Sequence, residues 1–171
     1  MASDEDLVGE LAQGDENALG ELLHRYERPL SHFIYRNTGG RDVEDLYQET
    51  WLRVVRHARR FDRTKRFSTW LFQIAVNLCR DWHRRLRDDL GPKTIEATAD
   101  PGQQRVEARL DAARLLMSLP ERQREALILR YYHERTVDEV AAILDCPKGT
   151  VKSRLHNALA RLSALVREKS G

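Results

Sequence analysis

Cysteine, proline and long apolar runs are all scarce in this chain, and each scarcity removes a class of protein. With only two cysteines, Cys79 and Cys146, among 171 residues, a disulfide scaffold is excluded, and both read as small buried or half-buried side chains in a reducing compartment. Cys79 and His83 lie four apart but supply only two ligands, too few for a structural metal site. No apolar run approaches the roughly 18 residues of a membrane span, so no membrane insertion is expected. The start, MASDEDLVGELAQGDE, is acidic and lacks the basic-then-apolar pattern of an export signal, which makes the cytoplasm the expected location. Strand-type alternation is missing, so the fold reads as all α. Neither internal repeats nor low-complexity segments occur. A nuclease or recombinase would need clustered carboxylates or a nucleophile beside an activating base. Neither is visible, and no enzymatic role, cofactor or metal is expected.

What the chain has in excess is charge. It is 41% hydrophobic and 33% charged, against about 25% charged in an average globular protein. The net charge of +2 conceals a strong polarisation along the sequence. Residues 1–40 carry eight acidic and three basic side chains, residues 41–90 eight and twelve, residues 111–145 seven and five, and residues 146–171 one and six. Two basic stretches, each beside an acidic one, suggest two separate nucleic-acid contacts.

Helical periodicity organises the chain into two small domains. Asp15 is placed to cap a helix burying Leu19, Leu22, Leu23, Tyr26, Leu30 and Phe33. A helix over 43–57 follows, and a third begins near Ser68, read as its cap, with Leu71, Ile74, Ala75, Leu78 and Trp82 on the buried face. Gly91, Pro92, Pro101 and Gly102 then break the pattern from about Asp88 to Gln104 and mark a linker between the two domains. Beyond it, Val106–Met117 reads as a helix and Pro120 opens another through Tyr131. Thr136 caps TVDEVAAIL, Leu144-Asp145-Cys146 makes a tight turn, and Pro147 starts a longer basic helix to about Val166: a helix-turn-helix.

Three helix faces carry more than packing. On the terminal helix Val151, Leu155, Ala158, Leu159 and Leu162 share one side. Ser153 and Asn157 lie opposite, Thr150 and His156 flank them, and Lys152, Arg154 and Arg161 stand where long cations reach the phosphates of a major groove. On the 43–57 helix, Asp45, Gln48, Glu49 and Leu52 form an acidic stripe with an exposed leucine, better suited to a protein partner than to a metal. The third helix presents Gln73, Asn77, Arg80, Asp81 and Arg84 among aromatics, the mixture that single-stranded nucleic acid requires. Trp82 is assigned to the core, and Trp70 precedes the periodic face.

The successive motifs GDENALGELLHRY, DVEDLYQETWLRVVRH, FSTWLFQIAVNLCRDWHRR, LPERQREALILRYY and TVDEVAAILDCPKGTVKSRLHNALARL resemble the extracytoplasmic-function (ECF) group of bacterial RNA polymerase sigma factors. The resemblance implies a sigma-2 domain over 8–88 followed by a sigma-4 domain over 107–168, joined by a flexible linker at 89–106. It implies that Asp45, Gln48, Glu49 and Leu52 meet the clamp helices of core RNA polymerase, whose flap meets the second domain. It further implies that Asn77, Arg80, Arg84, Arg85 and Trp70 serve the −10 promoter element, and that Thr150, Lys152, Ser153, Arg154, His156, Asn157 and Arg161 serve the −35 element. An anti-sigma factor is the further partner it implies. Two positions depart from the family: Val76 and Asn157 each stand where an arginine is common. The competing reading is a helix-turn-helix regulator with an unrelated helical sensor domain.

Overall fold

The computed structural model describes the backbone of residues 1–91 and 104–171 and the side chains of residues 1–91 and 111–171. All regular elements among them are helical. The first unit comprises α1 (Asp4–Ala12), α2 (Glu16–Thr38), α3 (Val43–His57), a 3-10 turn (Ala58–Arg60) and α4 (Phe67–Leu90). The second comprises α5 (Gln104–Met117), α6 (Glu121–Leu127) widening into a π-type turn (Ile128–Tyr132), α7 (Val137–Leu144) and α8 (Lys148–Ser170). The linker expected at 89–106 lies largely outside the described residues.

Local chemistry sets most boundaries. Asp15 accepts from the Asn17 backbone N–H and Thr136 from that of Glu139, as their N-cap chemistry predicts. Gly39, at φ 67°, ends α2 in the left-handed conformation that an L side chain resists. Three details differ from expectation. The acidic start is a helix, opened by a capping box in which the Ser3 hydroxyl and Asp6 carboxylate bond each other's backbone N–H. Ser68 lies inside α4, whose first N–H is satisfied from α1 instead, Phe67 donating to Glu5 Oε1 at 2.8 Å. Trp82 is only half-buried because its indole N–H is drawn outward to Asp42 Oδ2 at 2.8 Å.

Packing is continuous across the two units. Leu22, Leu30, Phe33, Trp51, Val54, Phe67, Leu71 and Leu78 fill the first bundle, and Leu119, Leu127, Ile128, Leu129, Val140, Ile143, Val151 and Ala158 fill the second. All belong to one buried cluster. It is continuous because α4 is buried on two faces. Besides Leu71, Ala75 and Leu78, the stripe Phe72, Val76, Cys79 and His83, at i, i+4, i+7 and i+11, is also inaccessible.

Candidate nucleic-acid and protein interfaces

The outer face of α3 begins with a constraint on the backbone. Asp42 precedes the helix at φ 49°, a conformation that aspartate tolerates better than most residues, and its carboxylate is held by Trp82. Pinning this end to α4 turns Leu46, Thr50, Trp51 and Val54 inward. Asp45, Gln48 and Leu52 are left exposed. Glu49 is half-buried by Arg53 at 3.4 Å and Arg56 at 4.0 Å. Val55, also exposed, lies one turn from Leu52 and extends the apolar part of the stripe. The face therefore offers free acidic and amide groups beside a small apolar patch, which fits a basic helical partner.

Promoter-strand candidates divide into free and engaged groups. Asn77, Arg84 and Arg85 are exposed on α4, with Arg84 bonded to Asp81 at 3.0 Å. Trp70 is half-buried, its ring stacked on Phe61 with centroids 4.9 Å apart. Arg80 is not free: it makes two 2.8 Å bonds to the carboxylate of Glu125 on α6. The loop ahead of α4 adds exposed Arg63, Lys65 and Arg66, of which Arg63 pairs with Asp6 at 2.9 Å.

On α8 the buried side is Val151, Leu155 and Ala158, with Leu162 half-buried. Leu159, expected among them, is 43% exposed, since the helix has begun to leave the bundle by that turn. Lys152, Ser153, His156, Asn157 and Arg161 are exposed, while Thr150 and Arg154 are half-buried. The helix is set by α7, whose C-terminus closes at Asp145 in the left-handed conformation with the Asp145 N–H on Ala141 O. Lys148 reaches back to Asp138 at 2.6 Å. The exposed side chains of the first two turns are small, polar or cationic, the composition that enters a major groove.

Sequence reasoning missed the residues joining the units. Gln73 Nε2 donates to Ala142 O at 2.8 Å, and Arg87 pairs with Glu121 at 3.6 Å. The Arg36 guanidinium lies 4.1 Å from the centre of the Tyr132 ring. His133 sits edge-on to Phe33 and Phe72. Arg124, almost fully buried, donates to the carbonyls of Asn37 at 3.0 Å and Leu119 at 3.1 Å. The Asn37 carbonyl also lies 2.7 Å from His83 Nε2, so the imidazole serves best as a neutral donor there. Burial foremost, with Arg124 adjacent, pushes His83 down to about 4. Burial does the same to His133, helped by Arg36 and Arg135. The one available signal was the acidic surplus of residues 111–145 set against the basic surplus of 41–90. Among the described residues no group of three or more His, Cys, Asp or Glu could hold a metal, and no helix is long and apolar enough to cross a membrane.

The family model for Sigma-70 region 2 matches residues 22–88, and that for Sigma-70, region 4 matches residues 109–162. The ECF RNA polymerase sigma-E factor of Escherichia coli (strain K12) is 31% identical over 172 residues, covering 91% of this chain and 90% of that protein. The ECF RNA polymerase sigma factor SigW of Bacillus subtilis (strain 168) is 28% identical, covering 94% and 95%. Among solved structures, CnrH in complex with the cytosolic domain of CnrY is similar with a TM-score of 0.78 at 27% identity, covering 98% of this chain and 99% of that one. RpoE of Bartonella quintana, in complex with the anti-sigma factor NepR, gives 0.74 at 27% identity, covering 87% and 96%. With both regions matched in chain order and close to full-length similarity at 31% identity, the chain belongs to the ECF group of RNA polymerase sigma factors.

Proposed function

We propose that this chain binds core RNA polymerase and directs initiation at promoters with a −10 and a −35 element, as a non-enzymatic factor acting in the cytoplasm. Asp45, Gln48, Glu49 and Leu52 on α3 form the polymerase contact at the clamp helices, and the second unit meets the flap. Asn77, Arg80, Arg84, Arg85 and Trp70 handle the −10 element as it opens. Thr150, Lys152, Ser153, Arg154, His156, Asn157 and Arg161 on α8 meet the −35 element. The working domains are 8–88 and 107–168, with 89–106 between them. An anti-sigma factor is the further partner, as CnrH and RpoE are each seen with another protein.

The observation that carries this reading is the placement of three separate helix faces, two nucleic-acid-like and one acidic with exposed Leu52, on one family framework. Transcription in vitro with bacterial core polymerase on a panel of promoters tests it. Weak duplex binding alone and promoter-specific transcripts with core are expected. Tight, sequence-specific duplex binding by the pure protein with no core affinity would favour the helix-turn-helix regulator instead. Within the same assay, Asp45→Ala with Glu49→Ala should weaken core binding by a few kcal/mol at unchanged helicity. Normal core affinity would remove α3 from the contact.

A further inference from the structure

A cleft of about 470 Å³ opens between α2, α5 and the π-type turn, and none of the residues assigned to polymerase or promoter lines it. His32, Tyr35 and Arg36 stand at i, i+3 and i+4 of α2 and so share one face of that helix. Opposite them α5 sets Ala113 and Leu116, and the turn sets Tyr132. Leu116 is buried, whereas Tyr35 and Tyr132 are 45% and 44% exposed and form the rim.

The charged groups of this cleft are all of one sign. The Arg36 guanidinium lies over the Tyr132 ring, 4.1 Å from its centre, and among the described residues no hydrogen bond or ion pair engages it. Arg25, Arg80 and Arg135, equally half-buried, each hold a carboxylate. Burial works against the Arg36 charge, and no carboxylate offsets it. His32, one turn earlier, is pushed below its ordinary value by burial, Arg36 and Arg28, again with no carboxylate beside it. At neutral pH it is therefore an uncharged imidazole with one N–H to give. A guanidinium stacked on a ring keeps its N–H edge available, and that planar fork matches a carboxylate.

Size and wall chemistry narrow the occupant further. Small-molecule sites measure about 300–1,000 Å³ and are mostly apolar with a few placed polar groups. One turn of helix with its side chains fills roughly 420 Å³, so a docked helix would seat little more than a single turn here. One guanidinium balances one negative charge, which leaves a phosphate or a nucleotide undercompensated. The two rim tyrosines suit a flat apolar body.

We propose that this cleft binds a small organic acid with an aromatic body. Its carboxylate takes the N–H edge of Arg36, with His32 donating from the rim, and its ring packs between Tyr35 and Tyr132 above Leu116. Because α2 belongs to the first unit and the other walls to the second, occupancy strengthens the contact between the units by mass action. The site is separate from the proposed polymerase and promoter faces.

Isothermal titration calorimetry of the purified chain with 1-naphthylacetate tests this at neutral pH. Saturable one-to-one binding is expected, with 1-naphthylacetamide, which keeps the ring and lacks the charge, about tenfold weaker. Arg36→Gln should remove that advantage of the acid and leave amide binding unchanged. Ala113→Phe fills the cleft from a half-buried position and should abolish binding of both compounds. Tyr131→Ala, exposed next to the cleft but outside its lining, should bind as the wild type does. Circular dichroism checks the folding of each variant, and the acid-against-amide comparison in Arg36→Gln decides the matter should Ala113→Phe fail to fold. No saturable binding at millimolar 1-naphthylacetate overturns the proposal. So does an acid advantage that survives Arg36→Gln, since the carboxylate would then sit elsewhere. Binding of an acidic helical peptide to a chain that ignores 1-naphthylacetate would give the surface to a protein partner and overturn it equally. Polymerase takes no part in these measurements, so their failure and a failure of promoter-directed transcription are separate results.

Discussion

Glu5 and Phe67 are 62 residues apart in sequence and joined by a 2.8 Å hydrogen bond, the carboxylate of α1 accepting the first backbone N–H of α4. Arg66, at the N-cap position, makes no side-chain cap bond. The negative charge also sits at the positive end of a 24-residue helix dipole. Asp6 adds the 2.9 Å pair with Arg63 in the preceding loop, and Asp4 holds Arg25 and the Tyr26 hydroxyl. The N-terminal helix thus acts as a clasp on α2 and on the start of α4, the helix that carries the proposed −10 face.

Replacing Glu5 by Ala should cost about 1 kcal/mol, the usual value of a lost cap. For a chain of this size that lowers the thermal midpoint by roughly 2–4 °C. Circular-dichroism melts at neutral pH give the number directly. An unchanged midpoint would mean that solvent satisfies the Phe67 N–H equally well.

Asn77 is exposed on α4 beside the engaged Arg80. An extruded base costs a few kcal/mol of stacking, which a fixed amide can recover by hydrogen bonding. Asn77→Ala should therefore impair strand opening while leaving recruitment of the holoenzyme intact. Permanganate footprinting separates the two effects, and a wild-type melting pattern would exclude Asn77 from the site.

Lys152 and Asn157 should fail differently at the −35 element. Loss of a phosphate contact weakens binding on all sequences alike and lowers the salt slope by about one, whereas loss of a base contact costs about 1–3 kcal/mol at one position. Lys152→Ala is expected to lower promoter affinity with unchanged preference, and Asn157→Ala to relax preference at one base pair. Selection from a randomised −35 library by the mutant holoenzymes provides the comparison. The opposite pattern would mean that α8 enters the groove rotated from this orientation.

Acid should open the seam between the units. His83 faces Arg124 and Arg87 beside the Asn37 carbonyl, and His133 faces Arg36, Arg135 and His32. Both titrate near 4 in the folded chain against 6.5 when free. The unfolded state therefore binds more protons between those values, so stability is full above about pH 6.5 and falls steadily toward pH 4. Each histidine contributes on the order of 3 kcal/mol to that loss at the lower limit. Glu121, pushed up by burial and by Glu125, takes up its proton more readily in the folded chain and so opposes part of that decline. Denaturant melts at pH 7.5, 6, 5 and 4 should show the decline, and His83→Gln should flatten it. A profile as steep as the wild type's would assign the acid sensitivity elsewhere.

Much of the fold was legible because apolar periodicity and cap chemistry are local. Val43–His57, Asp15 and Thr136 all stand where spacing places them. Local rules failed where the partner was distant. Ser68 looked like a cap because the carboxylate that satisfies α4 comes from another helix. Trp82 looked like core because its partner Asp42 lies 40 residues away at the start of α3, which the periodicity of α4 does not register. For the candidate faces, exposure of Asp45, Asn77 and Asn157 followed from helical phase alone. The engagement of Arg80 by Glu125 did not, since a lone arginine on a polar face carries no mark of a carboxylate 45 residues away.

The second apolar stripe of α4 bears on how the chain is born. During synthesis α1–α4 leave the ribosome before α6 and α7 emerge, with Phe72, Val76 and Cys79 uncovered. The nascent first unit can complete its own bundle yet still displays a sticky flank, which favours chaperone capture or pairing with another nascent chain until the remaining helices arrive. A truncated chain ending near Leu90 would keep that flank permanently bare, and its solubility would be limited by this one stripe rather than by failure to fold.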